Sequence, residues 1–462
     1  MPQKIKMIFN MKSHLWLLMS ALIIGESCNE KGSEIVETQL PKIIIIYTDD
    51  QGTMDANCYG SEDLHTPNID HLAETGIRFT QAYSAAAICS PSRAALLTGK
   101  TPLAAGLPGN APSLKGHVGM PTSQTTIAER LKENGYLTGH IGKWHLGYTE
   151  PTMPNSQGFD YSFGHMGGCI DNYSHFFYWS GPNRHDLWEN STEIWRDGEY
   201  FQDLIDDKAK TFIKNNKDTT FFLYYAINLP HYPLQGTAKW REHYRDLESP
   251  RDKYAACIST VDERIGRLVR LLEDEGLREN TLIIFQSDQG HSTENRTFGG
   301  GGNAGPYRGA KFSFFEGGIR VPSIVSWPGK IPEGRERNQM CIAVDWFPTI
   351  LDFCNIPYNE NEFEGKSIKE VILNDGPSPH DVFWWYTPKR WAVRKGDWKL
   401  LKNPIDPANV APLTDRDSIF LVNIMEDPGE LVNLAEDYPG KVSELTEEYY
   451  RWLSNIPEVA MY

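Results

Sequence analysis

The sequence predicts an α/β protein: one large mixed sheet sandwiched by helices, followed by a small C-terminal subdomain with an antiparallel sheet and one helix. Three observations predict it. Apolar, β-rich runs recur along the chain, each long enough for a strand buried on both faces. Helical stretches, such as residues 125–134 and 254–275, lie between them. After about residue 376 the pattern changes to short strands at 382–386, 391–394, 398–401 and 419–422, with a helix over 442–453.

Composition bounds the function. The chain has 462 residues, 40% apolar and 23% charged, which is globular composition with room for a large core. A formal charge of −16 excludes a nucleic-acid backbone as partner. It also disfavours an anionic substrate unless basic residues gather locally. Seven cysteines are too few and too scattered for a disulfide scaffold. At the N-terminus Lys4, Lys6 and Lys12 precede an apolar run from Leu15 to Ile24 and then Gly25-Glu26-Ser27-Cys28. The run is too short to span a bilayer and resembles a bacterial lipoprotein signal, residues 1–28, with Cys28 as the lipid-anchored first residue of the mature chain. Glu26 departs from the usual small residues, so ordinary cleavage is the other reading; both export the chain to the periplasm or cell surface. Residues 29–41 read as a tether, 42–376 as the main domain and 377–462 as the C-terminal subdomain.

The strand ends carry the chemistry. Ile43-Ile44-Ile45-Ile46-Tyr47 ends in Thr48-Asp49-Asp50, and the run from Leu137 ends in Gly142-Lys143-Trp144-His145. The run from Phe221 ends in Asn228-Leu229-Pro230-His231, and that from Leu282 in Ser287-Asp288-Gln289. Ligands bind outside the carboxyl ends of strands in such sheets, so these groups converge on one site. Asp49, Asp50 and Asp288 at two strand ends read as a metal site in preference to solvated turn formers. Cys89-Ser90-Pro91-Ser92-Arg93 suits a helix start, with Ser90 as cap and Gly99 as stop. Cys89 then sits where backbone N–H groups favour an anion. The glycine-rich stretch 299–305 lacks the lysine and hydroxyl of a P-loop and reads as a mobile surface loop. No Gly-x-Ser-x-Gly elbow or His-Glu-x-x-His occurs at the strand ends, which removes serine hydrolase and zincin readings. Cys58, Cys169, Cys257, Cys341 and Cys354 show no metal spacing and read mostly as free buried thiols.

Four blocks in order resemble the formylglycine-dependent (type I) sulfatases of the alkaline-phosphatase superfamily, among them arylsulfatases and N-acetylgalactosamine sulfatases. They are Cys89 to Arg93 with Leu97-Thr98-Gly99, then Gly135 to Thr138 through Gly142 to Gly147. Arg308 to Lys311 with Glu316 to Pro322 follows, and then Arg394 to Leu400 with Asp427-Pro428-Gly429-Glu430. The resemblance implies an alkaline-phosphatase-like core and a sulfuric ester hydrolase. It implies that a formylglycine-generating or anaerobic sulfatase-maturating enzyme oxidises Cys89 to formylglycine. Asp49, Asp50, Asp288 and Gln289, with residue 89, become ligands of one Ca2+; Gln289 stands where the family usually has asparagine. Arg93 holds formylglycine, Lys143 and Lys311 bind sulfate, and His145 and His231 are the catalytic imidazoles. The nearest alternatives are a phosphonate or phosphate ester hydrolase of the same superfamily and a catalytically dead glycan-binding surface lipoprotein.

Substrate is the least determined. Residues 164–175 are rich in polar groups, and Phe176, Phe177, Tyr178, Trp179, Trp188 and Trp195 follow. The segment suits either a sugar-binding surface or an ordinary long insertion. The expectation is a sulfated carbohydrate (glycosaminoglycan, mucin or algal glycan) with Asp171, His175, Arg184 and His185 lining the sugar subsite.

Overall fold

The strand Lys42–Asp49 occupies the middle of the sheet. It pairs in parallel with Phe221–Pro230 on one side and Thr281–Ser287 on the other. Leu137–Lys143 and then Tyr161–His165 extend the parallel run. The flanking strands Ser323–Ser326 and Trp188–Glu189 are antiparallel to their neighbours, so the ten-stranded sheet is mixed. The computed structural model describes residues 40–178 and 181–456. Cys28, the export segment 1–28, the tether before residue 40 and Trp179 lie outside the described residues. No helix among the described residues is long and apolar enough to cross a membrane.

Period-two alternation explains why a continuous isoleucine run works here. Ile43, Ile45 and Tyr47 join Leu96 and Leu97 of the helix Cys89–Thr98 on one face. Ile44 and Ile46 join Ile258, Val261 and Ile265 of the helix Arg251–Asp274 on the other. The helix expected over 125–134 spans Ile127–Glu133. Thr126 starts it with a capping box: its hydroxyl accepts from the Glu129 amide at 3.1 Å, and the Glu129 carboxylate accepts from the Thr126 amide at 2.7 Å.

The C-terminal strands Val382–Thr387, Arg390–Lys395, Trp398–Lys402 and Ile419–Asn423 form one antiparallel sheet. Trp391, Val393, Leu400 and Leu421 face Leu445, Tyr449 and Trp452 of the helix Pro439–Asn455. The opposite face, with Phe383, Trp385, Leu401 and Phe420, packs on Tyr83 and Phe315 of the first part of the chain.

A buried ion cluster crosses this contact. The Lys399 ammonium lies 2.9 Å from Glu316 and 3.0 Å from Glu430, all three side chains fully buried. Tyr83 donates to the second Glu316 oxygen at 2.6 Å, and the Glu316 amide donates to Glu430 at 2.5 Å. Burial alone would raise Glu316, but Lys399, Arg320 and Arg394 hold it down at about 2. Burial pushes Glu430 up to about 7 against the pull of the same lysine. One ammonium thus bridges two buried carboxylates, with Arg320 3.3 Å from the first. Replacing Lys399 by Ala leaves both acids buried without it, and we expect a loss of about 3–5 kcal/mol in unfolding free energy, read by urea denaturation; a loss below about 1 kcal/mol would show that the cluster contributes no net stability.

Candidate active site

The helix Cys89–Thr98 begins at the cysteine, with Pro91 in its first turn and Gly99 (φ 66°) as the left-handed stop. Ser90 is not the cap expected from the sequence. Ile88 holds that position without a side-chain bond, because the helix starts one residue before the serine. Ser90 instead fastens the next loop: its amide donates to Asn110 Oδ1 at 3.1 Å, and its hydroxyl accepts from the Ala111 amide at 3.0 Å.

The carboxyl ends of four parallel strands surround this helix start. Asp49 closes its strand, and Asp50 turns the chain away in a left-handed conformation (φ 64°). The Asp50 amide donates to Asp288 Oδ1 at 3.1 Å, which locks two strand ends across the sheet. His145 also sits at positive φ (57°), two residues past the end of its strand. Such backbone costs roughly 1–3 kcal/mol per residue and persists where the surroundings over-determine it. The close approach of Gly168 fits that reading: a Cβ there would lie 2.7 Å from His145 Cε1 and 2.9 Å from Nε2.

Cations interleave the acids. Lys143 Nζ lies 2.6 Å from Asp49, and Arg93 Nη2 lies 2.8 Å from Asp288 and 3.6 Å from Asp49. Lys311 Nζ lies 2.9 Å from Asp50, and His231 Nε2 lies 3.7 Å from the same carboxylate. The Cys89 thiol donates to Asp49 at 3.6 Å and accepts from Gln289 Nε2 at 3.4 Å. The structure therefore brings Cys89, Arg93, Lys143, His231, Lys311, Asp49, Asp50, Asp288 and Gln289 into one buried network. His145 joins them on the wall of a cleft of about 360 Å3 that also exposes Cys89, His231 and Lys311.

Burial sets the protonation states. It pushes the Cys89 thiol up to about 12, although Lys143 and Lys311 pull the other way. It holds His145 and His231 well below the usual imidazole range. It raises Asp50 to about 6 against Lys311, and Asp288, with Asp49 beside it, to about 8. Asp49 alone goes well below the carboxylate range, because Lys143, His231, Arg93 and Lys311 together outweigh its burial. Burial, not a shortage of counter-charge, raises Asp50 and Asp288, since three cations face the three acids.

This donor set fits a divalent cation. Ligand atoms of Asp49, Asp50, Cys89 and His231 lie within 4.8 Å of one another. Gln289 Oε1 is buried without a hydrogen-bond partner, while its Nε2 donates to Asp50 at 2.5 Å. Rotation of that amide would present an oxygen where the nitrogen now lies. Carboxylate and amide oxygens are the ligands of a hard dication.

The four expected sugar-lining residues stand apart. Asp171 Oδ1 accepts from the amides of Tyr173 and Ser174 at 3.1 and 2.8 Å, and its other oxygen accepts from Gln235 at 2.7 Å. His175 and His185 are buried behind the cleft, bonded to the Glu199 carbonyl and the Glu193 carboxylate. These three build the lobe behind the cleft and not its lining. Arg184 backs the wall, with its guanidinium 3.9 Å over the ring of Phe177 and a bond to the Ser113 carbonyl. The cleft lining includes Ser113, Asn110, Tyr232, Glu294 and Arg296. Only Tyr232 carried a signal in the sequence, as the neighbour of His231. The glycine-rich stretch is also corrected: the Asn303 amide donates to Asp55 at 2.8 Å and Arg251 donates to the Gly301 carbonyl at 2.8 Å, so it is fastened to the core.

Comparison with known proteins agrees with this geometry. The sulfatase family profile matches residues 41–356, and the profile of the C-terminal part of N-sulphoglucosamine sulphohydrolase matches residues 309–455. Arylsulfatase J of Mus musculus is 33% identical over 454 residues, covering 88% of this chain and 75% of the mouse protein. N-acetylgalactosamine-6-sulfatase of Canis lupus familiaris is 32% identical, covering 78% of this chain and 71% of the dog protein. The solved structure of Ps i-CgsB in complex with k-i-k-neocarrahexaose superposes with a TM-score of 0.79 at 31% identity, covering 90% of this chain and 93% of that one. The chain belongs to the sulfatase family of the alkaline-phosphatase superfamily and is a sulfuric ester hydrolase.

Proposed function

We propose that the protein removes sulfate from a sulfated carbohydrate, using a formylglycine formed from Cys89 and one Ca2+ held by Asp49, Asp50, Asp288 and Gln289. The observation that carries the proposal is the placement of Cys89: a buried thiol at a helix start on the cleft wall, bonded to Asp49 and Gln289. A thiol held at about 12 is a poor nucleophile at neutral pH. It is also a soft ligand among hard oxygens. Oxidised to the aldehyde and hydrated, residue 89 supplies a gem-diol, one hydroxyl of which attacks sulfur while the other expels sulfate. Held by Asp49, Asp50, Asp288 and Gln289, a Ca2+ ion would supply Lewis-acid polarisation to that diol and to a sulfate oxygen.

The chain's own residues do the rest. Arg93, Lys143 and Lys311 carry fixed positive charge around the sulfuryl oxygens from buried positions, where it acts at low dielectric. His231 Nε2 is our candidate for passing a proton to the departing sugar oxygen. In the neutral ring it is the lone-pair nitrogen, so it acts as the acid only as the imidazolium, which a charged Asp50 carboxylate 3.7 Å away favours, with Lys311 beside the same carboxylate. Its Nδ1 lies 2.9 Å from the Tyr232 carbonyl, which only accepts, so that bond fixes the ring's orientation. His145 is the candidate base for the remaining hydroxyl; its Nδ1 is buried without a partner. The carbohydrate assignment is supported by the neocarrahexaose complex and by the N-acetylgalactosamine-6-sulfatase likeness. Export, with lipid attachment at Cys28 and maturation by a formylglycine-generating or anaerobic maturating enzyme, is part of the proposal and is supported by the sequence of residues 1–28 and 89–93. A Cys28→Ala chain should leave the membrane fraction; retention there would refute the anchor.

Mass spectrometry of the peptide containing residue 89 should show it lighter than cysteine by one sulfur and two hydrogens, less one oxygen gained. An unmodified thiol in an active preparation would overturn the nucleophile. Turnover of an aryl sulfate should exceed that of the matching aryl phosphate, and the reverse preference would favour the phosphorus-ester alternative. Substituting His231 by Ala should lower kcat by about 100- to 10,000-fold on a sugar sulfate. The loss should shrink on an aryl sulfate whose phenol leaves without a proton; equal losses on both would remove His231 as the acid.

Cation binding should also move protons. Above about pH 7.5 the lowered histidines are neutral in both folded and unfolded chains and contribute nothing. Asp288, raised to about 8, still holds a proton in the fold and not in the unfolded chain, so its contribution to stability falls as pH rises. A dication displaces that proton. Calorimetry at pH 7 in buffers of different ionisation enthalpy should show release of about one proton per Ca2+, with affinity rising towards pH 8; binding without proton release would place the ion elsewhere.

A further inference from the structure

The lobe behind the cleft contains a second group of metal-binding side chains, distant in sequence from the strand ends. The two-stranded hairpin Phe176–Phe177 and Arg184–His185 sets Phe176 opposite His185. The Asp186 amide donates to the His175 carbonyl at 2.9 Å, and the Gly198 amide to the Tyr173 carbonyl at 2.8 Å. These bonds bring the rings of His175 and His185 beside the carboxylate of Asp197. One nitrogen from each ring and one Asp197 oxygen lie within 4.8 Å of one another.

The tautomers are fixed by the partners. His175 Nε2 lies 3.0 Å from the Glu199 carbonyl, which can only accept, so Nε2 carries the proton. His185 Nδ1 lies 3.1 Å from a Glu193 carboxylate oxygen, so Nδ1 carries the proton there. The other ring nitrogens, Nδ1 of His175 and Nε2 of His185, are buried without a hydrogen-bond partner. His175 is 0% and His185 4% exposed, so bulk water does not reach them. Burial also holds His175 below the usual imidazole range and keeps it a neutral ligand. The ring of Trp195 stacks on His185 at 3.8 Å and 10°, which fixes its plane.

We infer that His175, His185 and Asp197 form a zinc-binding site that ties the hairpin to the segment carrying Asp197. Two imidazole nitrogens and one carboxylate are the donors of a borderline transition metal and not of calcium or magnesium. The second ring nitrogen of each histidine is already bonded to a carbonyl or a carboxylate, as zinc-ligating histidines require. Asp197 is exposed and already within reach, so the site opens to solvent only on its side, where a water could complete four ligands while the ring nitrogens stay covered. The role is structural: the same hairpin carries Phe177, which lines the cleft.

The test uses the full chain, stripped with a chelator, resupplied with excess Ca2+ and titrated with ZnCl2; bound zinc is counted after equilibrium dialysis and melting is followed in parallel. The wild type and a Cys89→Ala chain should each retain one zinc per molecule, with Tm raised by about 2 °C or more. Asp197→Asn, an exposed substitution that leaves the fold intact, should weaken zinc at least about 10-fold, and His185→Ala should abolish it. Zinc that is lost in the Cys89→Ala chain, that binds Asp197→Asn with unchanged affinity, or that does not bind the wild type would overturn the site. The readout is zinc itself, so it stands or falls apart from the sulfatase mechanism.

Discussion

Everything at the active site depends on one electrostatic constraint: three carboxylates from two strand ends, Asp49, Asp50 and Asp288, are held together without solvent. The parallel sheet imposes their positions, since Thr48 and Ser287 are register partners and the next residues follow into the same space. Arg93, Lys143 and Lys311 each answer one or two of these acids. The same three cations are the ones that the proposed function sets around an incoming sulfate. In the proposed function, a dication on the carboxylates would free this positive charge for the substrate. This explains how a chain with net charge −16 accommodates an anion: the field at the cleft floor is local, set by buried groups at low dielectric, and the acidic exterior acts at longer range through salt.

The core of the fold was legible because its signals are local. An unbroken Ile run, a Pro–Gly bracket around residues 91–99 and a Thr–Glu pair at 126 and 129 each act within a few residues. The strand-end residues were legible for a related reason: a parallel sheet converts sequence position at the end of an apolar run into position in space. The parts that were not legible depend on partners far apart in sequence. Nothing near Lys399 announces Glu316, and nothing near Gly301 announces Arg251. Asp171 looked like a sugar ligand because polar groups near aromatics suit both sugars and loops; its oxygens are already taken by its own turn and by Gln235. Glu294 and Arg296 gave no pattern at all, and they line the cleft only because the segment after Gln289 folds back over it.

The two sheets are coupled at the same turn that delivers Lys311 to the buried acids. Arg308 is buried and bonded to Asp406, to the Ala411 carbonyl and to the Glu430 carbonyl. Lys311 lies three residues later, with its amide bonded to the His291 carbonyl and its ammonium on Asp50. The C-terminal subdomain thus braces the segment from which Lys311 reaches the acids.

Arg308 and Lys399 bear on how such proteins can be rebuilt. A boundary drawn at the start of the antiparallel sheet looks like a seam where one piece could be exchanged for another. Here the seam runs through shared buried charges, so a graft from a relative would have to bring its lysine, its glutamate and the arginine contacts as a matched set. Recombination among such chains is therefore expected to succeed as whole inherited pairs of pieces, and to fail when either half is taken alone.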